Sequence, residues 1–468
     1  MNLHGNLGVR VGVGSLAVMV LAGSASALLP TVKYSTIHSS ATSLVPGGGG
    51  LRFGATSGSL TAFDRPFRSL SGNYWIFSAL TNSGATATDE FIVAGLMGSE
   101  SAQVQEGVTN LDAGRVAESA SMDTKLSIND SGLFAFTANL SGATTDDEVI
   151  CKATVGGSPS VVAREGGTTV IGGATFGTSL DSPTATNAGR ISLRSSLTGP
   201  PTAQNAAGFN DEGGTLVFQK GVTVPAGQAG GGTAFWENVF AGDFHVAANG
   251  VDWLALGDLT GATTSDGVVA VNNTVVVQEG NPLPGINNGT NVTTLAEALM
   301  MPNGTWFARG SCADTNDWLI MNGVDIAETD DLVPGGLPGE TFSDSLFAAC
   351  FFTMAADNNG NFVYGGTTSN SDPEFDAVLV YNNQMVVARQ GDAVDLDGNG
   401  LLDDDAFIDI FNNDDIFLLD DGTLLFTAEL RNSASASIGQ AVITIVIPTP
   451  GAVSALAVAG LVALRRKR

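Results

Sequence analysis

In a chain of 468 residues, acids outnumber bases 47 to 19, for a net charge of −28. Such a surface repels phosphate backbones and anionic lipid, which argues against a nucleic-acid partner and suits solubility outside a cell or cation binding. Sixty glycines, 43% hydrophobic and only 14% charged residues describe short strands and turns, because solvated helix faces need more Lys, Glu and Arg than this; the class is all-β.

The chain opens with the layout of a secretory signal peptide, Met1–Ala27. Arg10 precedes an apolar run from Val11 to Gly23, and Ala25-Ser26-Ala27 forms a small-residue cleavage site before Leu28. That run is too short for a comfortable membrane span. Export is the expectation, with residues 28–447 as the folded part and 448–468 as a separate C-terminal segment.

Between the ends, one unit recurs. A turn glycine followed by an apolar or aromatic run stands at Gly72 (NYWIFSAL), Gly132 (LFAFTANL), Gly189 (RISLRSSL), Gly250 (VDWLALGDL), Gly304 (TWFARG), Gly360 (NFVYGG) and Gly422 (TLLFTAEL), at intervals of 60, 57, 61, 54, 56 and 62 residues. A second series, apolar residues ending in a charged or amide residue and then glycine, trails it. Its members are AQVQEG (Gly107), VVAREG (Gly166), LVFQKG (Gly221), VVVQEG (Gly280) and VVARQG (Gly391), with VDIAET at Thr329 in the equivalent place. Between the two lies a third strand ending at Asn272-Asn273, Asn322-Gly323 or Asn382-Asn383, the pairs that a two-residue hairpin with positive φ requires. Gly/Pro-rich connections such as Gly172–Phe176 supply a fourth strand and the step to the next unit. Four short strands per roughly 58 residues predict a seven-bladed β-propeller, with six or eight blades or an open β-repeat array as alternatives.

The count at the ends tests this. After the seventh core strand the chain offers Ala441–Ile447 but no VVAREG-type run, whereas Thr31–Ser39 is surplus at the N-terminal side. A ring closed by strand exchange between the termini removes both open edges. Trp75, Phe77, Phe134, Phe136, Trp253, Trp306, Phe307, Phe362 and Phe426 recur at matching places and are expected to pack between blades. Cys151, Cys312 and Cys350 sit in apolar runs without metal-ligand spacing; an oxidising compartment would permit a Cys312–Cys350 bridge.

Asp395-Leu396-Asp397-Gly398-Asn399-Gly400-Leu401-Leu402-Asp403 places oxygen-bearing side chains at positions 1, 3, 5 and 9 with glycine at 6, the pattern of a calcium loop. It resembles loops of the EF-hand and dockerin type. The resemblance implies calcium on Asp395, Asp397, Asn399 and Asp403. Position 12 is Ala406, so Asp404, Asp405 or Asp409 has to replace the usual bidentate acid.

At the far end, Pro448-Thr449-Pro450 precedes an apolar run, Gly451–Leu464, and then Arg465-Arg466-Lys467-Arg468. As a helix the run reaches about 21 Å against a hydrocarbon core of about 30 Å, with the basic tail held cytoplasmic. This end resembles the PEP-CTERM sorting signal, with Thr449 where that family has Glu. The resemblance implies an exosortase-type sorting enzyme as partner and membrane contact through the segment before processing.

Catalytic constellations are scarce. His38 and His245 are far apart, and no GxSxG elbow, HExxH or P-loop occurs. Acid pairs at Asp146-Asp147-Glu148, Asp330-Asp331 and Asp414-Asp415 fall where turns are expected. The reading is an exported cell-surface or extracellular-matrix protein with a non-enzymatic binding or structural role; the alternative is a glycan-active hydrolase, which carboxylates converging on the central channel would favour.

Overall fold

The computed structural model describes residues 28–448 apart from 55–61, 84, 119–121, 123, 124, 284, 287, 288 and 344–348. Leu29–Ile447 folds as one compact unit. It contains seven four-stranded antiparallel sheets arranged as the blades of a propeller. Each blade opens with an axial strand: Phe63–Arg68, Leu126–Ile128, Thr175–Ala185, Trp236–Val246, Val292–Met300, Phe351–Ala356 and Phe407–Leu418 in blades 1 to 7. The second strand of each blade is the apolar run that follows a turn glycine, from Tyr74–Leu80 in blade 1 to Thr423–Arg431 in blade 7. The third strand leads back to an outermost strand, which is the VVAREG-type run (Ser160–Arg164 in blade 2, Met385–Arg389 in blade 6).

Blade 7 has no such run of its own. Its outermost strand is Thr31–Ser35, antiparallel to Ser437–Val446 with Thr31 opposite Thr444 and Ser35 opposite Ala441. The termini therefore share one sheet, and the ring closes by hydrogen bonds, as the strand count required. On its other edge the exchanged strand meets the backbone of Asp395, which donates to Pro30 O at 2.9 Å and accepts from Val32 N at 3.0 Å.

Two turn types set the register. The seven turn glycines all have φ between 71° and 87°, the left-handed region a side chain resists. Gly132 N donates to Asn129 O at 3.0 Å, so a three-residue loop ends in a glycine bulge. At the outer hairpins Asn272-Asn273, Asn322-Gly323 and Asn382-Asn383 have φ between 50° and 77° at both positions. Their first asparagine does more than tolerate that backbone: Oδ1 of Asn272, Asn322 and Asn382 accepts from the N–H of Trp253, Trp306 and Phe362 at 2.9, 3.0 and 2.7 Å.

The blades pack through their aromatic residues. Trp75, fully buried, meets Phe417 of blade 7 edge-on at 6.0 Å; Phe218 of blade 3 meets Trp236 and Trp253 of blade 4, each at 6.0 Å. The three cysteines are buried free thiols, and Cys312 and Cys350 lie against the carbonyls of Thr290 and Thr367.

The closing strand also grips blade 1. Lys33 Nζ lies 2.7 Å from Glu100 Oε1, which Tyr34 OH also reaches. Burial alone would raise the Glu100 carboxyl, but Lys33 and Tyr34 outweigh it and hold it below the usual carboxylate range. A depressed carboxyl stabilises the fold above the unfolded-state value, and that stabilisation is lost as pH falls through the folded one. Glu100→Gln is expected to cost about 1–3 kcal/mol at neutral pH. Melting curves on acidification below the ordinary glutamate range should then fall less steeply for the variant than for the parent.

Candidate functional site

The two faces of the ring differ. On the face where axial strands end, the turns are bonded to one another: Ser71 N to Asp130 Oδ1 (2.6 Å), Asp130 N to Asn187 Oδ1 (3.1 Å), Asn187 N to Ala248 O (2.7 Å), Ala248 N to Pro302 O (2.8 Å), Asn303 Nδ2 to Asp357 O (3.0 Å) and Asn358 N to Asp420 Oδ1 (2.9 Å). Arg68, 2% exposed, reaches past blade 7 to donate to Ala356 O of blade 6 at 2.9 Å, and Asn358 Nδ2 returns to Leu70 O at 2.6 Å. This face is sealed by main-chain acceptors and turn amides. The opposite face carries the connections between blades.

Those connections explain the second sequence series. Its glycine N–H donates to the axial strand of the next blade: Gly166 to Phe176 O, Gly221 to Trp236 O, Gly280 to Val292 O and Gly391 to Ile408 O, all at 2.7–2.9 Å. The amide or guanidinium two residues before it holds the loop between second and third strands, as Gln105 does on Thr88 O, Gln219 on Gln204 O, Gln278 on Ser265 O, Arg164 on Asp146 O and Arg389 on Phe375 O.

The acidic loop lies on this face, between the outermost strand of blade 6 and the axial strand of blade 7. Carboxylate oxygens of Asp395, Asp397 and Asp404 lie within 4.8 Å of one another. Asp395 and Asp397 thus meet as expected, with Asp404 as the acid that joins them. Asp403 instead faces Asn399 Nδ2 at 3.4 Å, and Asn399 Oδ1 accepts from Leu401 N at 2.7 Å. Asp405 caps Ser433 N at 2.8 Å and Asp409 lies 3.4 Å from Arg431 Nε, so both are occupied elsewhere. Ala406 is fully buried at the start of blade 7, a place where a carboxylate would be desolvated.

Asp395 is not a free ligand waiting for an ion. Only 1% exposed, its carboxylate accepts from Gly398 N (2.8 Å), Asn399 N (3.1 Å) and Gly400 N (2.9 Å), while Asp404 Oδ2 accepts from Leu396 N (2.7 Å). The loop is shaped by its own acids, and one oxygen of each of the three still lies within 4.8 Å of the others.

Acids do reach the axial strands, at bulges. Asp181 is paired with Arg194 at 2.5 Å and Glu297 with Arg309 at 2.8 Å. Asp415, fully buried, accepts from Arg65 N, Asn412 Nδ2 and Thr427 Oγ1; it belongs to the axial strand of blade 7, not to a turn. Lys125 of blade 2 spans to blade 4, its Nζ donating to Gly242 O at 2.7 Å and Phe244 O at 3.3 Å and lying 3.3 Å from His245 Nδ1. Burial and the Lys125 charge drive His245 well below the ordinary imidazole value, so it stays neutral. His38 lies in a turn, its Nε2 3.1 Å from Phe53 O. These pairings, Asp181 with Arg194, Glu297 with Arg309 and Lys125 with the blade 4 axial strand, were invisible in the sequence because the partners lie on different strands or blades.

Ala25, Ala27, Thr449, Pro450 and Arg465, Arg466, Lys467 and Arg468 lie outside the described residues; Pro448 is exposed. Among the described residues no helix is long and apolar enough to cross a membrane.

The chain matches no family model and no curated protein. Solved structures similar to it include a puromycin hydrolase mutant complexed with PGG (12% identity, TM-score 0.43, 85% of this chain and 56% of that one). Others are a puromycin-hydrolyzing peptidase of Mycobacterium tuberculosis (9%, 0.38, 85% and 55%) and the Trypanosoma rangeli sialidase (9%, 0.34, 82% and 55%). The chain spans about half the length of these proteins, and the likeness concerns the propeller fold alone.

Because Asp395 organises the loop through three N–H groups, Asp395→Ala is expected to cost about 1–3 kcal/mol in metal-free buffer. Exposed Asp397→Ala should stay within about 0.5 kcal/mol of the parent. Denaturant titration in the presence of chelator measures both.

Proposed function

We propose that this is an exported propeller of the cell surface or extracellular matrix with a non-enzymatic binding or structural role. An exosortase-type enzyme handles its C-terminal segment, and calcium held by the Asp395 loop locks the ring. One observation carries the calcium role: the residue whose backbone bonds to Pro30 and Val32 of the closing strand is also the one whose carboxylate lies among those of Asp397 and Asp404. Three carboxylates so close repel one another, and a hard divalent cation with oxygen ligands would relieve that repulsion. Stiffening the loop would stiffen the edge of the closing strand. A non-catalytic role is supported by the engagement of Asp181, Glu297 and Asp415 in ion pairs and backbone hydrogen bonds, which commits those carboxylates to structural partners.

Calorimetric titration of calcium into the purified full chain, with melting curves alongside, tests the calcium role. The expected outcome is a binding heat and stabilisation of about 2.7 kcal/mol at a hundredfold excess over Kd. Asp397→Ala should abolish both while leaving the metal-free melting temperature in place. Absence of heat and shift at millimolar calcium would reduce the loop to a self-capped turn. Export is checked by fractionating cells that express the chain with or without residues 448–468: the intact chain is expected at the surface or in the medium, and the truncated chain is expected to lose surface attachment.

A further inference from the structure

Between blades 6 and 7, on the face of the blade connections, lies a cavity of about 450 Å3. Phe351, Phe352, Ile410 and Phe411 supply its apolar wall, with Phe352 and Phe411 stacked at 6.0 Å and an interplanar angle of 19°. Arg309, Asp376 and Gln390 supply its polar groups.

Gln390 makes the cavity more than a gap between blades. It stands in the position after the loop-holding residue of the second series, where Glu106, Glu279 and Thr329 stand in blades 1, 4 and 5. In those blades the side chain accepts from the first N–H of the third strand: Glu106 from Glu90 N at 3.3 Å, Glu279 from Gly267 N at 3.3 Å, Thr329 from Asp317 N at 3.0 Å. Gln390 keeps the backbone bond of the series, to Ala377 O at 2.9 Å, but its side-chain amide has no hydrogen-bond partner among the described residues although the residue is only 9% exposed. The amide borders the cavity, where a ligand supplying both a donor and an acceptor can take the place of solvent.

The neighbours define that ligand. Asp376 is paired with no cation among the described residues, and burial raises its carboxyl above the ordinary value. Arg309 is held by Glu297 Oε2 at 2.8 Å and Phe351 O at 2.6 Å, so its charge is already balanced while its remaining N–H groups border the cavity. An anion would meet Asp376 and the acidic chain; an amine would meet the Arg309 guanidinium. Hydroxyl groups, which both donate and accept, match an acceptor, an amide and a donor in turn, and a ring with an apolar C–H face suits the phenyl wall. We infer that the cavity between blades 6 and 7 is a binding site for a neutral saccharide, with Gln390, Asp376 and Arg309 contacting its hydroxyls.

This rests on the binding role proposed above and names its ligand class. Calorimetry of the full chain with maltotriose, cellotriose, xylotriose and mannotriose, and with trigalacturonate as the anionic counterpart, tests it. At least one neutral trisaccharide is expected to bind with millimolar affinity or better, and trigalacturonate is not. Gln390→Leu should weaken that binding at least tenfold, about 1.4 kcal/mol, with an unchanged melting temperature, since the amide bonds to no other described group of the protein. A structural role for Gln390 would instead lower the melting temperature and leave binding intact. Failure of all four neutral sugars, preference for trigalacturonate, or wild-type affinity in Gln390→Leu would overturn the site. A calcium response that persists through such a failure would leave the reading of the Asp395 loop standing.

Discussion

A propeller stands or falls on how its last blade is completed. Seven sheets in a ring leave two unpaired edges if the chain simply runs out, and an open sheet edge is a template for wrong partners. Here Thr31–Ser35 fills the seam, and it is fastened on three sides. One edge pairs with Ser437–Val446, the other meets the backbone of Asp395, and the Lys33 and Tyr34 side chains reach Glu100 of blade 1. The strand is short, but blade 7, blade 1 and the connection leaving blade 6 all hold it. The connection from blade 6 to blade 7 thereby becomes part of the closure, which is why its chemistry matters to the whole ring.

Four of the six connections from blade to blade share a repeated device, at Gly166, Gly221, Gly280 and Gly391. A glycine with positive φ turns its N–H to the axial strand of the next blade, and the residue two places earlier holds a loop of its own blade. Gly221 shows why no side chain is tolerated: a Cβ there would lie 2.1 Å from Ala203 O. The period, the strand order and the exchange of termini were all legible in the sequence, because the same residues recur wherever the same backbone geometry is demanded. The roles within the period were not. That Gln105 and Arg164 do the same work, one as an amide and one as a guanidinium, is evident only once both are seen on a carbonyl of the loop between the second and third strands.

The candidate sites divide along the same line. The acidic cluster was legible because its spacing is local, with Asp404 among the acids at hand to replace Ala406; that Asp403 stays out of it was not, because that depends on the Asn399 amide meeting Asp403 and Leu401. Asp415 was misplaced into a turn because an Asn-Asn-Asp-Asp run reads as loop, whereas a bulge between Phe411 and Ile416 keeps it inside a strand. The cavity at Gln390 is assembled from five strands and the residues that flank them and has no local signature. One trace of it was nonetheless present: Gln390 breaks a series in which the same place otherwise holds Glu, Lys or Thr.

The asymmetry of the two faces follows from strand direction. Axial strands all run the same way, so their turns gather at one end, where the ring is narrowest. Backbone groups brought that close must bond to one another or be left unsatisfied. Asn and Asp at the turns, with Arg68 laid across from blade 1 to blade 6, satisfy them and in doing so close that end of the axis. Lys125, just before the blade 2 axial strand, ties blade 2 to the axial strand of blade 4. The connections between blades at the other end diverge, and divergence leaves room: the acidic loop and the cavity at Gln390 both lie there, on opposite sides of the blade 7 axial strand from the sealed turns. On the readings proposed above, binding belongs to the seam between blades 6 and 7 and not to the axis, since the acidic loop and the cavity at Gln390 both lie there.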